Sequence, residues 1–117
     1  MTETSDPRRI FTYEEALDTF PLVEKLTAEA VRQVEALFHR VQGQEELDRR
    51  RDELETATQS VVDAWVRQVE GLGCHVKGLW LVDFDSGAGY YCWRYPEKAL
   101  GHYHGYDEGF AGRVPIQ

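Results

Sequence analysis

From Ile10 to Gly71 the apolar side chains return every three or four residues, the period of helices with one buried face. Thr12-Tyr13-Glu14-Glu15 reads as a capping box that starts a helix, with Thr12 at the cap and Glu15 three residues on. Pro21 disfavours helical geometry at Phe20 and suits a first helical turn. A short helix, a break near Thr19 and Phe20, and a longer helix from about Pro21 to Val41 are therefore predicted. Val23, Leu26, Ala30, Val34, Leu37 and Val41 make the stripe of the longer helix, and Leu22, Val31 and Phe38 widen it. Gly43 marks a turn, and a return helix follows from about Gln44 to Glu70, stopped by Gly71-Leu72-Gly73. Its seam is thin at Leu47 and Leu54 and thickens through Ala57, Val61, Ala64, Trp65 and Val69. Glu45 and Arg49, and Glu46 and Arg50, are spaced to support the thin part as solvated helix. A turn near Gly43 sets Leu47 facing Val41, Leu54 facing Val34 and Leu37, Val61 facing Leu26, and Trp65 facing Val23. Each arm is roughly 30–40 Å long at about 1.5 Å per residue. Two helices cannot cover stripes of that length, so the second half of the chain, another copy of it, or both must close the open side.

After Gly73 the period shortens. Cys74 to Lys77 suits a short strand, and Leu79 to Phe84 alternates, with Trp80, Val82 and Phe84 on one face. Asp85-Ser86-Gly87-Ala88 is a turn, and Gly89 to Tyr95 alternates again. Pairing Phe84 with Gly89 sets Val82 opposite Tyr91 and Trp80 opposite Trp93. One apolar face results, suited to dock on the helices, and Asp83, Tyr90, Cys92 and Arg94 gather on the other. Pro96 ends the strand, and residues 101–117 read as irregular and glycine-punctuated. The fold class is α+β: a short N-terminal helix, a long antiparallel helical hairpin, and a small C-terminal antiparallel β-sheet with an irregular tail. Residues 1–9 carry no periodicity and read as a frayed tail. Residues 10–117 form one domain, helical over 10–71 and aromatic-rich over 72–117.

Composition sharpens this division. The chain has 117 residues, 13 Lys+Arg and 21 Asp+Glu, net −8. Residues 1–71 hold 9 basic and 16 acidic side chains, whereas 72–117 hold 4 and 5. Nine of the 14 aromatics, eight of the ten glycines and three of the four histidines lie in the second part, so the chemistry belongs there. The acidic balance argues against nucleic acid as a partner. No apolar run approaches the roughly 20 residues of a membrane span, and the polar N-terminus is no signal peptide. Two cysteines, Cys74 and Cys92, are too few for a disulfide framework and fit a cytoplasmic protein.

Several segments resemble one family. Leu81-Val82-Asp83-Phe84, Tyr91-Cys92-Trp93-Arg94, Tyr103-His104 and Gly109-Phe110-Ala111-Gly112-Arg113-Val114-Pro115 resemble the bacterial proteins grouped as domain of unknown function 2203. Phe11-Thr12-Tyr13-Glu14-Glu15-Ala16 with Pro21 resembles that family's opening. The likeness spans roughly residues 10–116. It implies an intracellular bacterial protein built from a helical hairpin and a small sheet, and it implies no activity. The chain departs in having Tyr103 where Trp is commoner before the histidine, and Asp85 where Pro often follows Asp-Phe.

Four kinds of site are open to these residues. Cys92, His102 and His104 could hold a divalent metal such as zinc, with Asp83, Asp107 and His75 as further donor types, because His102 and His104 point to one side of an extended segment. No paired-ligand motif supports this, and a core-bonded His104 beside a packed Cys92 is the plainer alternative. Cys92, His104 and Asp107 offer the types of a thiolate relay, but a mid-strand cysteine lacks the exposure a nucleophile needs. Asp83, Arg94, His104, Asp107 and Arg113 could line a small-ligand pocket, the arginines holding an anion. Against this, Arg94 or Arg113 could simply pair with Asp83 or Asp107. Finally, the apolar helical stripe suits a homodimer. The expected function is a non-enzymatic cytoplasmic protein that self-associates through its hairpin and presents the Asp83/Cys92/Arg94/His104/Asp107/Arg113 surface to a protein or small-molecule partner. The alternative is a metal-dependent or small-molecule enzyme using Asp83, Cys92, His104 and Arg113. An enzyme should keep free lone pairs in a cleft, whereas a structural cluster should have its aspartates taken up by the arginines.

Overall fold

The computed structural model describes residues 9–116. The tail expected over 1–9 lies outside the described residues except for Arg9, whose guanidinium sits 4.1 Å from the Phe11 ring centroid. Helix α1 spans Tyr13–His39, α2 Gly43–Arg49 and α3 Arg51–Glu70. Five strands follow, β1 His75–Gly78, β2 Leu81–Asp85, β3 Tyr90–Arg94, β4 His102–His104 and β5 Val114–Pro115. They pair antiparallel in chain order to make one sheet. The architecture is α+β. Among the described residues no helix is long and apolar enough to cross a membrane.

The capping box forms as expected, with Glu15 N–H donating to Thr12 Oγ1 and Thr12 N–H to the Glu15 carboxylate. The break expected near Thr19 and Phe20 does not occur, and α1 runs through Pro21. Proline removes only its own N–H, which would have bonded the Leu17 carbonyl, and Leu17 lies on the solvent side, 41% exposed. Continuity brings Ala16, Phe20, Val23, Thr27 and Ala30 onto one buried stripe, and that burial outweighs the local preference. The return helix, expected unbroken from Gln44, is instead divided at Arg50 (φ −101°, ψ 11°). Between Leu47 and Leu54 the chain has only charged residues, so no packed side chain holds the axis straight. Arg50 bridges the division through Glu46 at 3.3 Å and Glu53 at 3.1 Å.

Helix α3 packs on α1, and Trp65 Nε1 donates to Thr27 Oγ1 at 2.8 Å. Trp65 thus reaches one turn beyond the Val23 it was expected to face. Thr27 in turn donates to the Val23 carbonyl, so this buried polar group is satisfied twice. The inner face of the sheet meets the helices through aromatic pairs. Phe11 abuts Phe84 with ring centroids 5.3 Å apart, Tyr13 meets Tyr91 at 5.1 Å, and Phe20 meets Trp93 at 5.3 Å.

Three strand expectations need correction. Leu79 and Trp80 form the turn between β1 and β2 rather than strand, with Trp80 at φ 60° and its ring 4.8 Å from that of Trp65. Second, Phe84 pairs with Tyr91 and Val82 with Trp93, two residues along from the expected register. A slip of two keeps every side chain on its face, so the division into an apolar inner face and a polar outer face stands. Gly89 therefore lies in the loop, where a Cβ would come 2.8 Å from the His104 carbonyl oxygen. Third, the segment after residue 101 is not wholly irregular. It supplies β4, a single 3-10 turn at Phe110–Gly112 and β5, strands of three and two residues that are too short to read by alternation.

Candidate functional site

The outer face of the sheet carries Leu81, Asp83 and Asp85 from β2, Tyr90, Cys92 and Arg94 from β3, and His102 and His104 from β4. Asp83 pairs directly with Cys92, and Cys92 with His102. His104 reaches diagonally across β3 to Asp83, Nε2 to Oδ2, at 2.9 Å. Donor atoms of Asp83, Cys92 and His104 all lie within 4.8 Å of one another, and all three residues are buried.

The hydrogen bonds fix much of the chemistry. His104 Nδ1 lies 2.9 Å from the Gly105 carbonyl, which only accepts, so Nδ1 carries a hydrogen. Contact between Nε2 and the Asp83 carboxyl then needs one shared proton. Both ring nitrogens are committed. Asp83 Oδ1 is buried and has no hydrogen-bond partner. Burial raises the Asp83 carboxyl above the ordinary range, against the pull of His104, Cys92 and Lys77. Burial, then the nearby charge of Asp83, pushes the Cys92 thiol up to about 12, and the charge of Arg113 only partly opposes this. Cys92 is fully buried. It is no nucleophile in this setting.

A cleft of about 390 Å³ opens beside the cluster, lined by Lys77, Leu81, Asp83, His104, Glu108, Gly109 and Phe110. A larger cleft of about 470 Å³ lies far from it, among Ala36, Leu37, His39, Arg40 and Arg50. That one has a single imidazole, His39, beside two arginines, and no carboxylate or thiol lines it. The 3-10 segment forms a wall of the outer-face cleft. Phe110 is held there by Arg113, 4.1 Å from its ring centroid, and by Arg94 at 5.3 Å.

The structure thus brings together Asp83, Cys92 and His104 and separates the other candidates. His102 shares the face of His104 but lies outside the group, its Nδ1 buried without a partner. Two residues along a strand is a separation of roughly 7 Å, so His104, turned toward Asp83, leaves His102 behind. Asp107 is exposed in the turn after β4. The arginines pair with neither aspartate. Arg113 forks onto Glu97, with Nη1 at 3.0 Å from Oε1 and Nη2 bonded to Oε2, while Arg94 is exposed against Phe110. His75 lies opposite Asp83 on β1, its Nε2 buried without a partner. Sequence reasoning passed over Lys77, Glu97, Glu108 and Phe110. Lys77 alone had a signal, since it alternates with His75 and so shares the outer face; its ammonium lies 4.2 Å from the Tyr90 ring centroid.

One family model, that of an uncharacterized conserved protein (DUF2203), matches residues 9–116. The chain belongs to the DUF2203 family. The match takes in all three helices, all five strands and the cluster, so in DUF2203 terms the outer-face cleft is part of the family's own domain rather than an appendage. No curated protein and no solved structure matches the chain.

Proposed function

We propose that this DUF2203 protein is a non-enzymatic binding protein of the cytoplasm. It holds a small cationic or hydrogen-bond-donating ligand in the outer-face cleft and pairs with a second copy through its helical hairpin. The observation that carries this reading is Asp83, a carboxyl 1% exposed whose Oδ1 has no partner and which lines a cleft of about 390 Å³. A buried acceptor left empty costs about 1–3 kcal/mol, which a donor or cation entering the cleft would recover. His104 has no free nitrogen and the Cys92 thiol stays protonated, so neither offers a substrate a base or a nucleophile. The surplus of acidic groups draws cations toward the surface. A second copy would cover apolar side chains that the chain leaves exposed at separate points of α1, Leu17, Leu22 and Phe38, each more than 40% exposed.

Native mass spectrometry of gently purified protein tests the ligand. A mass excess in the wild type that is missing in Leu81→Trp, which fills the cleft, is expected. Bare polypeptide mass in both would sink the reading. Sedimentation of the same sample tests pairing: a dimer that Leu22→Glu with Phe38→Glu turns into monomer is expected, and a wild-type monomer would overturn it.

A further inference from the structure

We infer that Asp83, Cys92 and His104 form a binding site for one divalent transition-metal ion of the zinc class, reached from the outer-face cleft. The inference rests on the reading of that cleft as a ligand site and names the ligand. Three adjacent strands each supply one donor, and the donor atoms lie within 4.8 Å of one another. A thiol, an imidazole and a carboxylate together suit zinc or cobalt and not magnesium or calcium, which take oxygen. Metal–ligand bonds of about 2.0–2.3 Å at tetrahedral angles separate donor atoms by roughly 3.3–3.6 Å. The cluster therefore has to open slightly between Asp83 and His104 and close by at most about 1.5 Å elsewhere, movements of side-chain size.

The surroundings fit the same use. A metal-ligating histidine donates its other ring N–H to a carbonyl or carboxylate, and His104 Nδ1 already donates to the Gly105 carbonyl, so the incoming ion takes Nε2 by displacing to solvent the proton it shares with Asp83, together with the Cys92 thiol proton. The independent sign of a missing ligand is Asp83 Oδ1, buried without a partner beside these groups. Three protein ligands leave a fourth position facing the cleft, where water or a small molecule completes the coordination. The ligand set differs from the Cys92, His102 and His104 expected from the sequence, with Asp83 in place of His102.

Titrating Co²⁺ and then Zn²⁺ into the full, metal-stripped chain tests the site. The wild type should take up one equivalent of Co²⁺, with a near-ultraviolet sulfur-to-cobalt band and the intense visible bands of four-coordinate cobalt, and Zn²⁺ should displace it. Cys92→Ser should lose the sulfur band, Asp83→Asn should bind Zn²⁺ about 100-fold or more weakly, and His102→Ala and Cys74→Ser should behave as wild type. The wild-type titration needs no variant to fold: absence of both bands there overturns the site, as does a sulfur band that follows Cys74. If a small molecule leaves with Leu81→Trp while no metal binds, the metal assignment fails and the cleft reading stands. If neither binds, both fail.

Discussion

His104 holds Asp83 across the strand between them, Nε2 to Oδ2 at 2.9 Å, and the two side chains are 5% and 1% exposed. Removing one partner of such a pair strands the other in a dry site. His104→Ala should therefore destabilise the metal-free protein by about 3–5 kcal/mol in urea unfolding. Asp83→Asn should cost less, because an amide is easier to bury than a charge. The double variant should fall well short of the sum of the singles. A loss under about 1 kcal/mol for His104→Ala would mean that water replaces the imidazole and the pair is structurally idle.

Neither cysteine should react in the native state. Burial pushes the Cys74 thiol up to about 12, and burial with Asp83 beside it does the same for Cys92. At pH 8 the thiolate fraction is then on the order of one in ten thousand, and both side chains are buried from a reagent of Ellman's size. Ellman's reagent should label less than 0.1 equivalent before unfolding and two equivalents in denaturant. Fast native labelling that disappears in Cys92→Ser would restore the nucleophile that this geometry rejects.

Glu97 should make the protein acid-sensitive. Burial raises its carboxyl, but the hydrogen bonds from Arg113 and from the Arg94 N–H outweigh this, and the net shift is downward from 4.5. A carboxyl lowered on folding contributes stability that is complete above its unfolded value and lost as pH falls through its folded value. Between pH 7 and pH 3 the wild-type melting temperature should therefore fall further than that of Glu97→Gln, with the difference opening below about pH 4.5. Parallel curves would mean that the Arg113 fork contributes nothing to stability. Because Arg113 also holds the Phe110 ring, the fork is what ties the 3-10 wall of the cleft to the turn after β3.

Much of this arrangement is written locally, and the part that is not is the part that makes the site. Thr12 and Glu15 announce the helix start because a capping box needs only four residues. The two faces of β2 and β3 survive a register error because alternation has period two. Pro21 misleads because its cost is local while the burial of Phe20 against Trp93 is not. The Asp83–His104 bond spans 21 residues and skips a strand. It depends on β4, a three-residue strand with no periodic signal of its own. His102 and His104 look equivalent in the sequence, and only the diagonal reach across β3 separates them. Glu97 was invisible as the partner of Arg113, since the turn after Pro96 decides where it points.

Trp80 reverses an ordinary rule. At φ 60° it occupies the left-handed region, where a side chain costs roughly 1–2 kcal/mol and glycine almost nothing. Its ring nevertheless packs edge-on against Trp65 at 4.8 Å, and its carbonyl accepts the Tyr95 N–H at 3.0 Å. Trp80→Ala loses the ring and keeps the strained backbone, whereas Trp80→Gly loses the same ring and relieves the backbone. In most folded contexts Ala is the milder replacement; here Gly should be more stable than Ala by about 1 kcal/mol, with both below wild type, as read by chemical unfolding. Equal stabilities would mean that the β1–β2 turn relaxes out of the left-handed region once the indole is gone, and that the Trp65 contact, not the turn, sets the conformation of Trp80.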